Sequence, residues 1–406
     1  MDRRSFFKYA SFSGGMTAFL GGLHPALALT WQKIGTTSGS AGVWNKILPI
    51  PPRIGISSLA CGYRHSVALR SDGLVFACGD NSQGGLGDNT IVNKSTYVQT
   101  VALSNVVALA SGRIHNLALR SDGLVFASGY NAYGGLGVNS TVNKSSFVQA
   151  VGVSNVVALA AGSYHSLALR SDGLVFASGY NTYGGLGDNS QIDKLTFVQA
   201  LLISNVVALA AGNSHSLALR SDGLLFACGY NSYGQLGVDS ILSKKTYVQV
   251  QGVSNVVAMA GGNQHSLALR SDGLVFACGR NDFGQLGDNT TVNKSTYVQA
   301  LLISNVVALA AGILHSLALR SDGLIFGCGD NSGPGQLGDN TSTKRSTFVQ
   351  AVGISNIVVL AAGSGFLHSL ALRSDGLVFS SGDNGYGQLG VNSVIDKLTF
   401  VQALAP

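Results

Sequence analysis

No glutamate occurs anywhere in this chain: all 19 of its acidic residues are aspartates. Most of them stand in Asp-Gly or Gly-Asp-Asn segments, where they serve turns. A general acid/base couple needs two carboxylates in different surroundings, and the sequence singles out no such pair. Charged residues make up only 11% of the chain, and its +6 formal charge is not gathered into the stripe that nucleic-acid binding requires, so no nucleic acid is expected as a partner. Long apolar runs are also lacking. After the N-terminus none approaches the ~20 residues that span a bilayer, so the positive mean hydropathy of +0.29 points to packing and not to a membrane.

What is present is repetition. The segment G-x-x-H-S-L-A-L-R-S-D-G-L-V-F-A-[C/S]-G-x-N recurs seven times, marked by His65, His115, His165, His215, His265, His315 and His368. The first six markers lie 50 residues apart. The last interval is 53, because Pro334 adds one residue and Ser364–Gly365 adds two. A fixed period in this range signals a solenoid or a propeller.

Within each unit, N-V-V-A-L-A-[A/S]-G reads as a strand closed by a glycine turn. The next two runs, His65–Ser71 and Leu74–Cys78 in the first copy, flank Asp72-Gly73, which predicts a hairpin with a type I′ turn. A Gly/Asn loop follows, then a short run such as Tyr97-Val98-Gln99. Four strands per unit and seven units predict an all-β chain: a seven-bladed β-propeller of four-stranded blades. Runs such as Val67-Ala68-Leu69 are apolar without alternation, as expected for sheets covered on both faces by neighbouring blades. The C-terminal Phe400-Val401-Gln402 is expected to complete the blade begun near Ile54, hiding both edges, since Ile47-Leu48-Pro49 reads only as a degenerate fourth strand.

The segments H-S-L-A-L-x-S-D-G and G-x-N-x-x-G-Q-L-G, the second clearest at Gly229–Gly237 and Gly279–Gly287, resemble the repeat of the regulator-of-chromosome-condensation family. The resemblance covers roughly residues 54 to 402 and implies the propeller fold. The founding eukaryotic member of that family is a nucleotide exchange factor for a nuclear GTPase, and a secreted bacterial propeller of similar architecture inhibits β-lactamases. The matched residues are framework residues, so neither activity transfers to a particular position.

The N-terminal Arg3-Arg4-Ser5-Phe6-Phe7-Lys8 looks like a twin-arginine export signal, followed by a mildly apolar stretch and a small-x-small site at Ala26-Leu27-Ala28. Residues 1–28 then form the signal, 29–53 a lead-in and 54–406 the propeller. The expected location is the periplasm or the outside of a bacterial cell. Removing the signal takes away three basic groups and one acidic group, so +6 becomes +4. Cys78, Cys228, Cys278 and Cys328 share one repeat position, too far apart on separate blades for a disulfide, and with Cys61 they read as buried small residues. The marker histidines stand off the axis, too dispersed for a metal, and are expected to hydrogen-bond loop backbone. Gly84–Asn89 resembles a calcium nonapeptide only superficially, its Asp being displaced by one. No cofactor or metal is expected.

Positions that differ among copies are released from the framework, and strand parity gathers them at one end, the top. Between Gly and His they include Tyr63, Arg64, Arg113, Tyr164, Gln264 and Phe366. After the third strand they are Asp80, Tyr130, Tyr180, Tyr230, Arg280, Asp330 and Asp383. Ring order makes an aromatic arc opposite an acidic arc of Asp330, Asp383 and Asp80. Tyr133, Tyr183, Tyr233, Phe283 and Tyr386 recur and are read as structural. These features predict a monomeric, non-enzymatic propeller that binds a protein or peptide partner through its top face. The alternatives are an extracytoplasmic enzyme at the propeller mouth, acting on a glycan, and a structural or adhesive surface protein.

Overall fold

A computed structural model describes residues 55–363 and 367–404. The signal, the whole lead-in and Phe366 lie outside these residues. Blade one comprises β1 (Ile56–Cys61), β2 (His65–Arg70), β3 (Val75–Gly79) and β4 (Lys94–Gln99), antiparallel in that order. Six more sheets repeat it, so the protein is an all-β, seven-bladed propeller. The first strand of each blade lines the axis and the fourth lies outermost. We call the G-x-x-H end the top and the Asp-Gly end the bottom.

Apolar residues without alternation are explained by what flanks each sheet. Leu217 and Leu219 of blade four pack with Met259, Ala268, Phe276 and Tyr297 of blade five in one buried cluster, and the other joints are alike. The hairpin differs from the predicted type I′ turn. Arg70 N–H donates to Leu74 O (2.8 Å), Gly73 N–H donates to Arg70 O (2.9 Å), and Gly73 alone has a positive φ, +83°. This is a three-residue loop with glycine in the left-handed position. The register is set by the Arg70–Asp72 ion pair across the turn and by the Asp72 carboxylate accepting from Leu74 N–H.

Ring closure also differs from expectation. The C-terminal strand Lys397–Gln402 pairs with Val378–Gly382 of its own blade and not with the blade begun near Ile54. The reason is local: the loop after the third strand returns the chain directly, so every repeat completes its own sheet. Blades seven and one meet by packing, with Val359, Leu370 and Leu372 against Ile56, Ala68 and Phe76.

One polar device recurs at every joint. His115 Nε2 lies 3.0 Å from Ser166 Oγ of the next blade, and that hydroxyl donates to Gly135 O of the His115 blade at 2.6 Å. The series continues to His368, 3.2 Å from Ser66 Oγ, so the chain of bonds closes on itself. The histidines therefore bond a side chain of the adjacent blade and not the loop backbone expected. In blade two Asn116 replaces serine: its Oδ1 faces His65 Nε2 (2.9 Å) and its Nδ2 donates to Gly85 O (2.7 Å). The carbonyl reached by the serine also receives Ser128 (3.0 Å), Cys228 (3.5 Å) or Cys278 (3.4 Å), which is why Ser and Cys alternate there. All five cysteines are buried free thiols, and burial raises the Cys78, Cys228, Cys278 and Cys328 pKa values.

Candidate functional site

The top is built from two loops per blade, the short G-x-x-H turn and the longer segment between third and fourth strands. Each long loop is organised by one buried asparagine. Asn81 Oδ1 accepts from Leu86 N–H (2.9 Å), while its Nδ2 donates to Asp88 (2.9 Å) and Thr90 O (3.0 Å). Asp88 is itself held by Thr90 and lies 3.6 Å from Lys94 Nζ. Its pKa is lowered: burial pushes it up, and the hydrogen bonds from Thr90 and Asn81 outweigh that. The loop that resembles a calcium nonapeptide is thus tied by its own side chains. The short turns are linked across blades by backbone bonds, as from Tyr63 N–H to Arg113 O (2.8 Å) and from Ser163 N–H to Asn213 O (3.0 Å).

On this scaffold the tyrosines form one continuous chain of ring contacts. Tyr130 lies 5.7 Å from Tyr164, Tyr133 lies 5.1 Å from Tyr180, and Tyr183 lies 4.7 Å from Tyr230, all tilted or edge-on. Such geometries favour aromatic pairs. Tyr164 closes a triangle with Tyr130 and Tyr133, and Tyr230 meets Tyr233 at 6.5 Å. Burial and the neighbouring Tyr133 and Tyr164 raise the Tyr130 pKa.

Arginines extend the arc at both ends. Arg113 lies over Tyr63 (4.4 Å) and Tyr164 (5.6 Å), and Arg64 lies over Tyr63 (4.9 Å) and Tyr386 (4.2 Å). At the far end Arg280 covers Tyr233 (5.4 Å) and Phe283 (5.5 Å). It donates to Gln264 Oε1 (3.0 Å) and to Asp282 (2.7 Å). Lys344 lies 4.3 Å from the Phe283 ring centroid.

The structure therefore brings together Tyr63, Arg64, Arg113, Tyr130, Tyr164, Tyr180 and Tyr230, and joins Arg280 with Gln264 at the arc's other end. It also corrects two readings. Tyr133, Tyr183 and Tyr233 are links of the arc, not structural packing alone, and Tyr133 and Tyr183 are 36% and 37% exposed. Their signal in the sequence was spacing: each follows the variable tyrosine by three residues and faces the variable residue of the next blade, Tyr180, Tyr230 or Arg280. Of the acidic arc only Asp330 is withdrawn from the surface, while Asp80 and Asp383 stay partly exposed and bond within their own loops. Asp330 is only 4% exposed and accepts from Ser332 N–H (3.2 Å). Asp80 accepts from Ser82 N–H (2.9 Å), and Asp383 accepts from Gly385 N–H (2.9 Å) and Gln388 Nε2 (2.7 Å).

The axial channel is chemically unlike the top. A cavity of about 190 Å³ is walled by first-strand residues such as Leu59, Leu159, Leu209, Leu309, Ala260 and Ala311. Among the described residues its lining side chains are leucine, alanine and glycine, none of them titratable.

Comparison with known proteins agrees with this architecture. The sequence matches the family model described as RCC1-like domain over residues 31–303. It matches the regulator of chromosome condensation (RCC1) repeat over 306–333 and 358–388. Among solved structures it is similar to Prp20p of Saccharomyces cerevisiae, studied for its binding to Gsp1p and histones, at 25% identity. That match covers 86% of this chain and 87% of Prp20p, with a TM-score of 0.73. Human WBSCR16 shares the fold at 20% identity, covering 82% of this chain and 94% of that one, with a TM-score of 0.74.

Proposed function

This chain belongs to the RCC1-like family, and from that premise we propose that it is an exported, non-catalytic propeller that binds a protein or peptide partner through its top face. The observation that carries this reading is the aromatic arc with arginines stacked at both ends. Rings that hold one another lose little freedom on binding, and each tyrosine joins apolar area to a polar tip. A stacked guanidinium keeps N–H groups for carbonyls or carboxylates of a partner. Prp20p, with its binding to Gsp1p and histones, supports protein recognition by a similar chain. An enzyme at the mouth needs a convergent polar constellation; the leucine and alanine wall of the channel gives that alternative no support.

Export rests on the N-terminal Arg3-Arg4 pattern, and the family match beginning at residue 31 is compatible with removal of residues 1–28. Replacing Arg3→Lys and Arg4→Lys should retain the protein in the cytoplasm with an uncut N-terminus. Processing and export unchanged by that double substitution would refute the twin-arginine route.

The partner is sought by crosslinking capture from the envelope fraction. The native protein is compared with a variant carrying Tyr130→Ala, Tyr180→Ala and Tyr230→Ala whose fold is checked by circular dichroism. A specific partner lost with the triple variant supports the arc. Equal capture by both moves the site elsewhere, and no specific partner with either refutes the binding reading.

A further inference from the structure

The bottom of the propeller differs from the top in kind. Its charged side chains, among the described residues, are seven Arg–Asp pairs, each closed within one hairpin, from Arg70–Asp72 to Arg373–Asp375. The linkers that cross this end from one blade to the next carry no charge at all. They expose aliphatic side chains instead, including Val151 (43%), Leu201 (44%), Leu301 (44%) and Val352 (42%).

Two positions stand out. Besides the asparagine that precedes the next blade's first strand, one linker residue per joint takes a positive φ: Ala102 (56°), Gly152 (87°), Leu202 (60°), Gly252 (84°), Leu302 (60°) and Gly353 (71°). Glycine adopts this conformation freely and leucine does not. Yet the two leucines are also 83% and 81% exposed, so the fold gains no burial from them. In the glycine linkers after blades two and four the next blade's outer strand bonds back, Phe197 N–H to Val151 O and Tyr297 N–H to Gln251 O, each 3.2 Å. A strained residue that the fold does not reward points outward, to something that covers it.

We infer that the bottom face is the contact between two copies of this chain, packed back to back with both top faces outward. A bacterial lipid surface rewards unpaired lysine and arginine, and every described cation here is matched by its own aspartate. A face meeting itself must instead avoid like charges and interlock with its own relief. This one does both. A two-fold axis passing through blade four sets the linker after blade three against the linker after blade four, and the linker after blade five against the linker after blade two. Leu202 of each copy then stands opposite Gly252 of the other, and Leu302 opposite Gly152. The pairing does not rest on the proposed top-face partner, and it departs from the monomer expected from sequence.

The test is sedimentation velocity on the intact protein up to about 100 µM, with Leu202→Gly and Leu302→Gly combined. Glycine is what blades two, four and six already use, so the variant should unfold at an equal or higher temperature. The native protein should form a dimer whose dissociation constant rises at least about tenfold in the variant. A native protein that stays monomeric throughout overturns the inference, as does a dimer of unchanged strength in the variant. A monomer that co-sediments with anionic lipid vesicles overturns it too and gives the face to a membrane. The Tyr130, Tyr180 and Tyr230 substitutions should leave the dimer intact, which separates this result from the fate of the top-face reading.

Discussion

A glycine three residues before each of the first six marker histidines leaves no room for any other side chain. A Cβ at Gly212 would lie 2.1 Å from His215 Cε1 and 2.3 Å from Gly262 O of the next blade. Gly212→Ala must therefore displace the imidazole from Ser266, 2.9 Å away, and should cost about 3 kcal/mol or more in urea unfolding. A loss below about 1 kcal/mol would show that the joint tolerates a free imidazole. The same burial sets the acid response. Because the serine hydroxyl donates onward to a carbonyl, the imidazole must donate from Nε2, and the ring stays neutral. Burial holds the pKa down to about 3 in His115, His215 and His265 and to about 4 in His165 and His315. Unfolded imidazoles protonate near 6.5. Between there and pH 4 the unfolded chain binds more protons than the folded one, so stability must fall as pH falls. The melting temperature should be level from pH 8 to about 7 and drop steeply below 6.5. The hairpin aspartates, whose pKa values are lowered from 3.8, act only below that window. A melting temperature unchanged at pH 5 would contradict the neutral ring.

Among the elements, loops that look equally polar differ sharply in what they hold. Asn231 is fully buried, accepts from Leu236 N–H (2.8 Å) and donates to Ser240 O (2.7 Å). Asn231→Ala should cost about 2–4 kcal/mol, since it strands two buried backbone groups. Asp222→Ala at the exposed hairpin should cost under about 1 kcal/mol. Reversal of that order in chemical denaturation would mean that the long loop is not a fixed platform for the arc. Strand order, blade number and the two ends were legible in the sequence because each follows from period and parity. The turn type was misread because Asp-Gly suits both a two-residue turn and a three-residue loop, and only the Arg70–Leu74 bond distinguishes them. Comparing copies found Tyr130, Tyr180 and Tyr230 but discarded Tyr133, Tyr183 and Tyr233, because recurrence hides a residue whose contacts run between blades. For the aspartates the variation was visible in the sequence, but their bonds to Ser82, Ser332 and Gln388 within their own loops, and the burial of Asp330, were not.

For the whole molecule, six joints are crossed by a linker between successive blades and the seventh is not. There, among the described residues, the bottom turn of one blade stands farther from the first strand of the next. A Cβ on Gly376 would lie 3.8 Å from Gly55 Cα, where Gly73 would meet Asn105 Cα at 3.1 Å. Hydrogen exchange should accordingly begin in blades one and seven and reach blades three to five last. Earliest exchange in blade four, or simultaneous exchange in all seven, would refute an opening at that joint. The completion of each sheet by its own repeat has a consequence for descent. The span of chain that is copied when a repeat duplicates is the same span that folds as one sheet, so gain or loss always involves a whole blade and never strands an unpaired edge. The order of blades along the chain is then free to be permuted, and cutting at any linker while joining the present ends should give back the same ring.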